Sequence, residues 1–278
     1  MQTGPGRRTA ILTVDLEDYR RQELRDHLGS PQPPNPAEVE RQVELLLELF
    51  DACDATATFF SVGRLTEELP RSVWQRITQK HRLGCHGHEH QRVAAQGPEA
   101  FKADVLAAKR ALEDTAGVRV ESYRAPYFSA DGCDPWFGSV LAETGFRLDS
   151  SRRYASAPGA GGTAPLEGSQ GAVTELPLCS LGLGAKRLTV IGGTYFRLLP
   201  LPAIRRLLAR AETLGFVPVV YLHPYDIDPG AAPLAYPRGY WKERTGDFIR
   251  RQGRRTAVDK LKALCESYVF RAAETQIS

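Results

Sequence analysis

No run of 18 apolar residues occurs in the 278-residue chain, so nothing in it is expected to span a membrane. The N-terminus, MQTGPGRRTAILTVDLEDY, has two arginines but no long apolar core, and its AILTV is only strand-length, so no signal peptide is expected. A C-x-x-C pair is also missing. Five cysteines (53, 85, 133, 179, 265) are odd in number and scattered, which argues against a disulfide framework and for reduced thiols in a cytoplasmic compartment. Lysine and arginine form no block long enough to track phosphates, and a net charge of +3 is too mild to imply a nucleic-acid partner. The most basic run, RQGRR (251–255), reads as a solvated helix end. No internal repeat is visible. With 42% hydrophobic and 25% charged residues, the chain has the composition of a soluble protein with a sizeable core.

What is present alternates between strand-like and helix-like runs. AILTV, ATATFFSVG, RLGCHGH, VRVESYRAPYF, FRLDSS, VTELPL, KRLTVIGGTYF and VPVVYLHPYDI read as strands. PAEVERQVELLLELFDAC, SVWQRITQKH, GPEAFKADVLAAKRALEDTAG, SVLAETGF, LPAIRRLLARAETLG and TAVDKLKALCESY read as helices, with Pro36 in a first turn and Gly117 as a stop. The stretch 155–172 reads as an exposed loop. Repeated β-α units predict an α/β protein with a parallel sheet, open or closed into a barrel.

Polar clusters follow five of the strand-like runs: DLEDY, HGHEH, RAPY, DSS and HPYD. In a parallel α/β fold the C-terminal ends of strands share one edge, where active sites collect, so the five clusters are expected to converge. Three of the six histidines, His86, His88 and His90, fall within five residues. Two imidazoles four residues apart suit zinc or a neighbouring divalent ion, and a carboxylate often completes the set. Asp15, Glu17 and Asp18 repel one another unless a cation or arginine compensates them; read blandly, they are a helix cap or a solvated turn. Arg124 leaves a segment stiffened by Pro126 and reads either as the partner of a carboxylate base or as a structural salt bridge. His223, at the end of an apolar strand, reads as a general acid or a capped core histidine.

TVDLEDY, CHGHEH, YRAPYF, FRLDSS and YLHPYDIDP occur in the order found in the polysaccharide deacetylase family (the NodB-homology domain, carbohydrate esterase family 4), which the sequence resembles over about residues 8–270. Within it, IGGTYFRLLP and YLHPYDIDP are similar to motifs of the branch associated with bacterial exopolysaccharide loci. The resemblance implies a distorted (β/α)7 barrel, with a flexible N-terminus over 1–8 and one catalytic domain over 9–278. It implies Asp15 as general base, Arg124 as its holder, the Tyr127 backbone N–H as oxyanion donor and His223 as general acid. His86 and His90 are implied as metal ligands. The family's third ligand directly follows the base, where this chain has Leu16, so Glu17 and Asp18 both stand as the third ligand. Asp149 is a candidate to orient His223, and His88 reads as an inert loop side chain.

The expected activity is therefore a metal-dependent hydrolysis that removes the N-acetyl group from an N-acetylhexosamine unit of a bacterial glycan or precursor. The expected ion is Zn2+, with Co2+, Ni2+ or Mn2+ as alternatives. Pro126, Phe128 and Tyr225 are expected to contact the sugar, and Tyr127, Tyr195, Phe196 and Trp241 are further aromatics able to stack on rings. The 155–172 and 226–250 segments are expected to shape the groove. Two rivals stand beside this reading: a metal-free cyclic-amide hydrolase of the same fold, and a catalytically inactive glycan-binding protein. Oligomeric state is not legible in the sequence.

Overall fold

Strand β1 forms over Arg8–Leu16, where RTAILTVDL is β-branched and apolar and every residue from Ala10 to Leu16 is buried. A strand buried on both faces belongs inside a sheet, and the computed structural model, which describes residues 6–29, 33–133, 135–183, 186–188 and 191–277, places it there. The sheet continues with β2 (Thr58–Ser61), β3 (Arg82–Cys85), β4 (Ser122–Tyr123), β5 (Leu148–Asp149), β6 (Thr174–Glu175), β7 (Val219–Leu222) and β8 (Tyr268–Arg271). Seven of these run parallel in the order β7-β1-β2-β3-β4-β5-β6, and a short Ala164–Pro165 strand closes the far edge antiparallel to β6. β8 pairs with the first half of β1, so that Ile11 faces Val219 on one edge and Arg271 on the other.

This is the expected α/β architecture, a curled half-barrel sheet carrying helices. The Pro36–Ala52 helix buries Val39, Val43, Leu46, Leu47 and Phe50, a stripe at helical spacing, with Pro36 in its first turn. The Pro98–Ala116 helix buries Phe101, Val105, Ala108 and Leu112 and stops at Gly117, in the left-handed region as expected. The five cysteines are free and buried. Among the described residues no helix is long and apolar enough to cross a membrane.

Several elements depart from the sequence reading, among them the unannounced strand Tyr268–Arg271. Tyr19–Leu28 and Trp241–Arg251 are helices, although neither has an inward apolar stripe. The run IGGTYF, expected to be extended, turns into a helix at Gly193–Leu198. Gly192 lies so close to β7 that a Cβ there would sit 2.1 Å from Cδ1 of Tyr221, and the chain turns immediately after that contact. The flexible N-terminus expected over 1–8 falls largely on residues 1–5, and the strand expected over 186–196 includes 189–190; these positions lie outside the described residues.

Candidate active site

Asp15 and Glu17 leave β1 on the same side of the chain, as alternation in a strand dictates, while Leu16 enters the core. Asp15 Oδ1 accepts a hydrogen bond from Arg124 Nη1 at 2.8 Å. Arg124 is fully buried, yet its guanidinium is satisfied throughout: Nη1 also donates to Thr13 Oγ1 at 2.8 Å, Nε to the Ser150 carbonyl at 3.0 Å and Nη2 to Ser150 Oγ at 2.9 Å. Its Cζ lies over the Phe60 ring, 4.3 Å from the centroid. A buried charge held so completely fixes the carboxylate it faces.

Asp18 is occupied otherwise. As N-cap of the Tyr19–Leu28 helix it accepts from the Arg21 N–H through Oδ1 at 3.1 Å and from the Asn35 N–H through Oδ2 at 2.9 Å. Glu17 instead reaches His90, with Oε2 2.6 Å from Nε2.

The HGHEH loop leaves the end of β3. Gly87 has φ of +74°, and a Cβ there would come within 3.0 Å of Asp104 Oδ2. Asp104, on the Pro98–Ala116 helix, accepts from the N–H groups of His88 and Glu89 at 2.9 and 3.2 Å, and Arg25 Nη1 donates to the Glu89 carbonyl at 3.0 Å. The loop is thereby clamped from two sides. His86 Nδ1 donates to the Arg124 carbonyl at 2.8 Å, which leaves Nε2 free to act as a ligand. His90 adopts φ of +53°, which turns its ring back toward Glu17.

Ligand atoms of Glu17, His86 and His90 all lie within 4.8 Å of one another. Donors on a tetrahedral ion sit roughly 3.4 Å apart, and two imidazoles with a carboxylate are a zinc-type set, so the residues fit a metal ion. Their protonation fits as well. Burial pushes the Glu17 carboxyl up, but His90, His223 and His86 outweigh it and hold the group at about 2. Burial holds His86 at about 4 despite Asp15 and Glu17 nearby, so its imidazole is neutral at pH 7. His88 is half-buried and outside this group; its Nε2 is 3.8 Å from Glu89 Oε1.

His223 follows β7, its Nε2 3.9 Å from Glu17 Oε1. Its Nδ1 is 3.2 Å from Asp226 Oδ2, which also accepts the His223 backbone N–H at 2.8 Å. The other Asp226 oxygen accepts from Arg197 Nε at 2.6 Å, and both of these side chains are fully buried. Burial opposes charge on His223, yet the Asp226 hydrogen bond and charge raise it to about 9. Sequence reasoning missed Asp226 and Arg197, although both lie inside quoted motifs. Asp149, the candidate partner, faces elsewhere: it accepts from the Ser151 N–H and hydroxyl at 3.2 and 2.5 Å.

Tyr127 and Phe128 both take positive φ, +58° and +52°, in the turn after β4. The Tyr127 ring packs 4.7 Å from His90, and its hydroxyl donates to Asp26 on the Tyr19–Leu28 helix. Pro126 is buried beside the loop, half-buried Phe128 meets the Tyr221 ring edge-on at 5.3 Å, and Tyr225 stacks on His223 at 4.9 Å. Phe196 is fully buried core, and Trp241 stands on an outward helix face, so neither lines the cluster as expected.

Residues 33–145 match the family model described as polysaccharide deacetylase, and residues 151–278 match the model of a domain of unknown function, DUF3473. No curated protein matches the sequence. Among solved structures, a Mycobacterium smegmatis protein assigned to the polysaccharide deacetylases superposes with a TM-score of 0.66 at 18% identity, covering 99% of this chain and 91% of that one. A mutant form of the peptidoglycan deacetylase PdaC from Bacillus subtilis gives 0.50 at 13% identity, covering 98% of this chain and 91% of that one. BA3943 from Bacillus anthracis, a pseudoenzyme of carbohydrate esterase family 4, gives 0.50 at 12% identity, covering 99% and 67%. Residues 33–145 are therefore similar to the polysaccharide deacetylase family, and the chain has the curled α/β fold seen in structures of carbohydrate esterase family 4.

Proposed function

We propose that this protein is a metal-dependent carbohydrate N-deacetylase, with residues 9–278 acting as one catalytic unit. Its substrate would be an N-acetylhexosamine unit of a bacterial glycan or precursor. The observation that carries the reading is the meeting, on one strand edge, of the Glu17/His86/His90 donor group with the Asp15–Arg124 pair and the His223–Asp226 pair. Likeness of IGGTYFR and YLHPYDIDP to exopolysaccharide-locus motifs supports that branch, and five free buried cysteines support a reducing, cytoplasmic compartment.

His86, His90 and Glu17 would hold the ion, with Zn2+ first by donor type. When bound, it supplies Lewis-acid polarisation of water and of the amide carbonyl. Asp15, held by Arg124, takes the proton of the attacking water. The Tyr127 N–H, set by its left-handed turn, donates to the oxygen that gains charge. His223, oriented through Nδ1 by Asp226, delivers a proton from Nε2 to the departing amine. Pro126, Phe128 and Tyr225 flank the sugar. The donor group speaks against a metal-free cyclic-amide hydrolase.

The test is acetate release from N-acetylated hexosamine oligomers and from an activated aryl acetate, by zinc-loaded protein. Wild type is expected to hydrolyse both, and chelator-stripped protein neither. Asp15→Asn should lower both rates by a hundred- to ten-thousand-fold, on the order of one general-base contribution. His223→Ala and Asp226→Asn should depress the amide reaction far more than the ester, because a phenolate leaves without protonation. Full amide activity in both Asp15→Asn and His223→Ala would sink the reading.

A further inference from the structure

The Trp241–Arg251 helix is inverted in polarity. Its only buried residue is Asp247, whereas Trp241, Phe248 and Ile249 are 66%, 57% and 44% exposed. Helical spacing gathers Trp241, Thr245, Phe248 and Gln252 on one outward face, with Ile249 at its margin. Polar residues point inward and are paired there. Asp247 accepts from the Leu234 N–H at 3.3 Å and pairs with Arg251 at 3.2 Å. Arg250 pairs with Glu23 at 2.5 Å and donates to the Tyr19 hydroxyl at 3.2 Å. These inward contacts fix the helix orientation, so the aromatic residues face out by construction.

Charge on the outward side has one sign. Between residues 238 and 255 every exposed charged residue is basic: Arg238, Lys242, Arg244 and Arg255, with Glu243 half-buried and Asp247 buried. Lys242 Nζ lies 5.4 Å from the Trp241 ring centroid, so a cation and the largest exposed aromatic share one spot. Contiguous exposed apolar surface marks an interaction site. A helix with Trp and Phe outward between flanking cations has the chemistry of one lying flat at a bilayer surface, rings at the acyl boundary and cations at the headgroup phosphates. A second copy fits poorly, because a two-fold contact would set like charges against each other.

We propose that this face docks the protein on an anionic lipid surface. The helix is bonded through Arg250 to Tyr19, whose ring lies 4.0 Å from that of Tyr225, the residue stacked on His223. Docking would therefore bear on the element that packs, through Tyr19 and Tyr225, against His223. The proposal concerns lipid binding alone and stands or falls independently of deacetylation.

The experiment is co-sedimentation of the full chain with vesicles of phosphatidylglycerol and phosphatidylcholine, against phosphatidylcholine alone. Wild type is expected to sediment with the mixed vesicles, and high salt should release it. Trp241→Ser/Phe248→Ser and Lys242→Glu/Arg244→Glu should each lower vesicle partition by about tenfold or more, with circular dichroism and melting unchanged. Absence of wild-type sedimentation, or equal partition by the variants, overturns the proposal. So does a dimer that the Trp241→Ser/Phe248→Ser variant dissolves, or retention by a soluble N-acetylated glycan that the same variant loses; either result assigns the face to another occupant.

Discussion

Glu17 and Asp18 are adjacent carboxylates that the fold directs to different partners. Strand alternation carries Glu17 toward His86 and His90, whereas Asp18 gives one oxygen to the Arg21 N–H of the helix beginning at Tyr19 and the other to the Asn35 N–H ahead of the Pro36–Ala52 helix. Glu17→Gln is expected to lower zinc stoichiometry, measured by elemental analysis after dialysis, while the protein stays folded. Asp18→Ala should keep the metal but lose about 1–2 kcal/mol in urea unfolding, the cost of removing a helix cap. Equal metal loss in both variants would contradict the assignment. The sequence left Glu17 and Asp18 equally placed, because the point where the strand turns depends on a helix that no hydrophobic pattern announced. Asp226 was similarly hidden. It stands in the YLHPYDIDP motif, but only the tight turn over Pro224–Ile227 folds it back onto His223, which together with Arg197, 29 residues upstream, keeps it charged there.

Among the elements, those with an apolar stripe were legible and those without one were not. The Pro36–Ala52 and Pro98–Ala116 helices declare themselves through periodic leucine, valine and phenylalanine. Tyr19–Leu28 buries only Gln22 and Leu24, and Trp241–Arg251 only Asp247; ion pairs and hydrogen bonds seat them, and these leave no period in a sequence. A further junction between elements titrates. His81 ends the Arg71–Lys80 helix, and its Nδ1 accepts the Ala57 N–H at 3.2 Å just before β2. Burial lowers it from 6.5 to about 4. The unfolded chain therefore binds the extra proton between those values, so the stability this histidine supports is present above pH 6.5 and is lost as pH falls toward 4. Metal-free wild type should lose about 2 kcal/mol more than His81→Gln between pH 7 and pH 5 in urea titrations. Parallel pH slopes for the two proteins would remove His81 from the account.

At the scale of the whole molecule, the sequence showed that polar clusters follow strands, and the parallel sheet brings four of the five to one place. The fifth, DSS, lies beneath them: Ser150 holds Arg124, and Ser151 accepts the Ala125 N–H at 2.8 Å. Strand order was not legible, because β1 pairs with β7 and β8 across more than two hundred residues, a choice fixed by the closing of the core and not by local pattern. That pairing has a further consequence. Glu17 and Asp15 precede both matched segments, His86, His90 and Arg124 lie in the first, and Arg197, His223 and Asp226 lie in the second. Cutting the chain after Ser156, an exposed loop position, leaves one piece with the proposed ligands and base and another with the proposed acid and its support. Each piece alone is expected to release no acetate, and co-expression of the two should restore release as the severed strands find each other across β1. Turnover by residues 1–156 alone would deny the acid any part. Such complementation would make the two pieces a split reporter, silent until both share a cell.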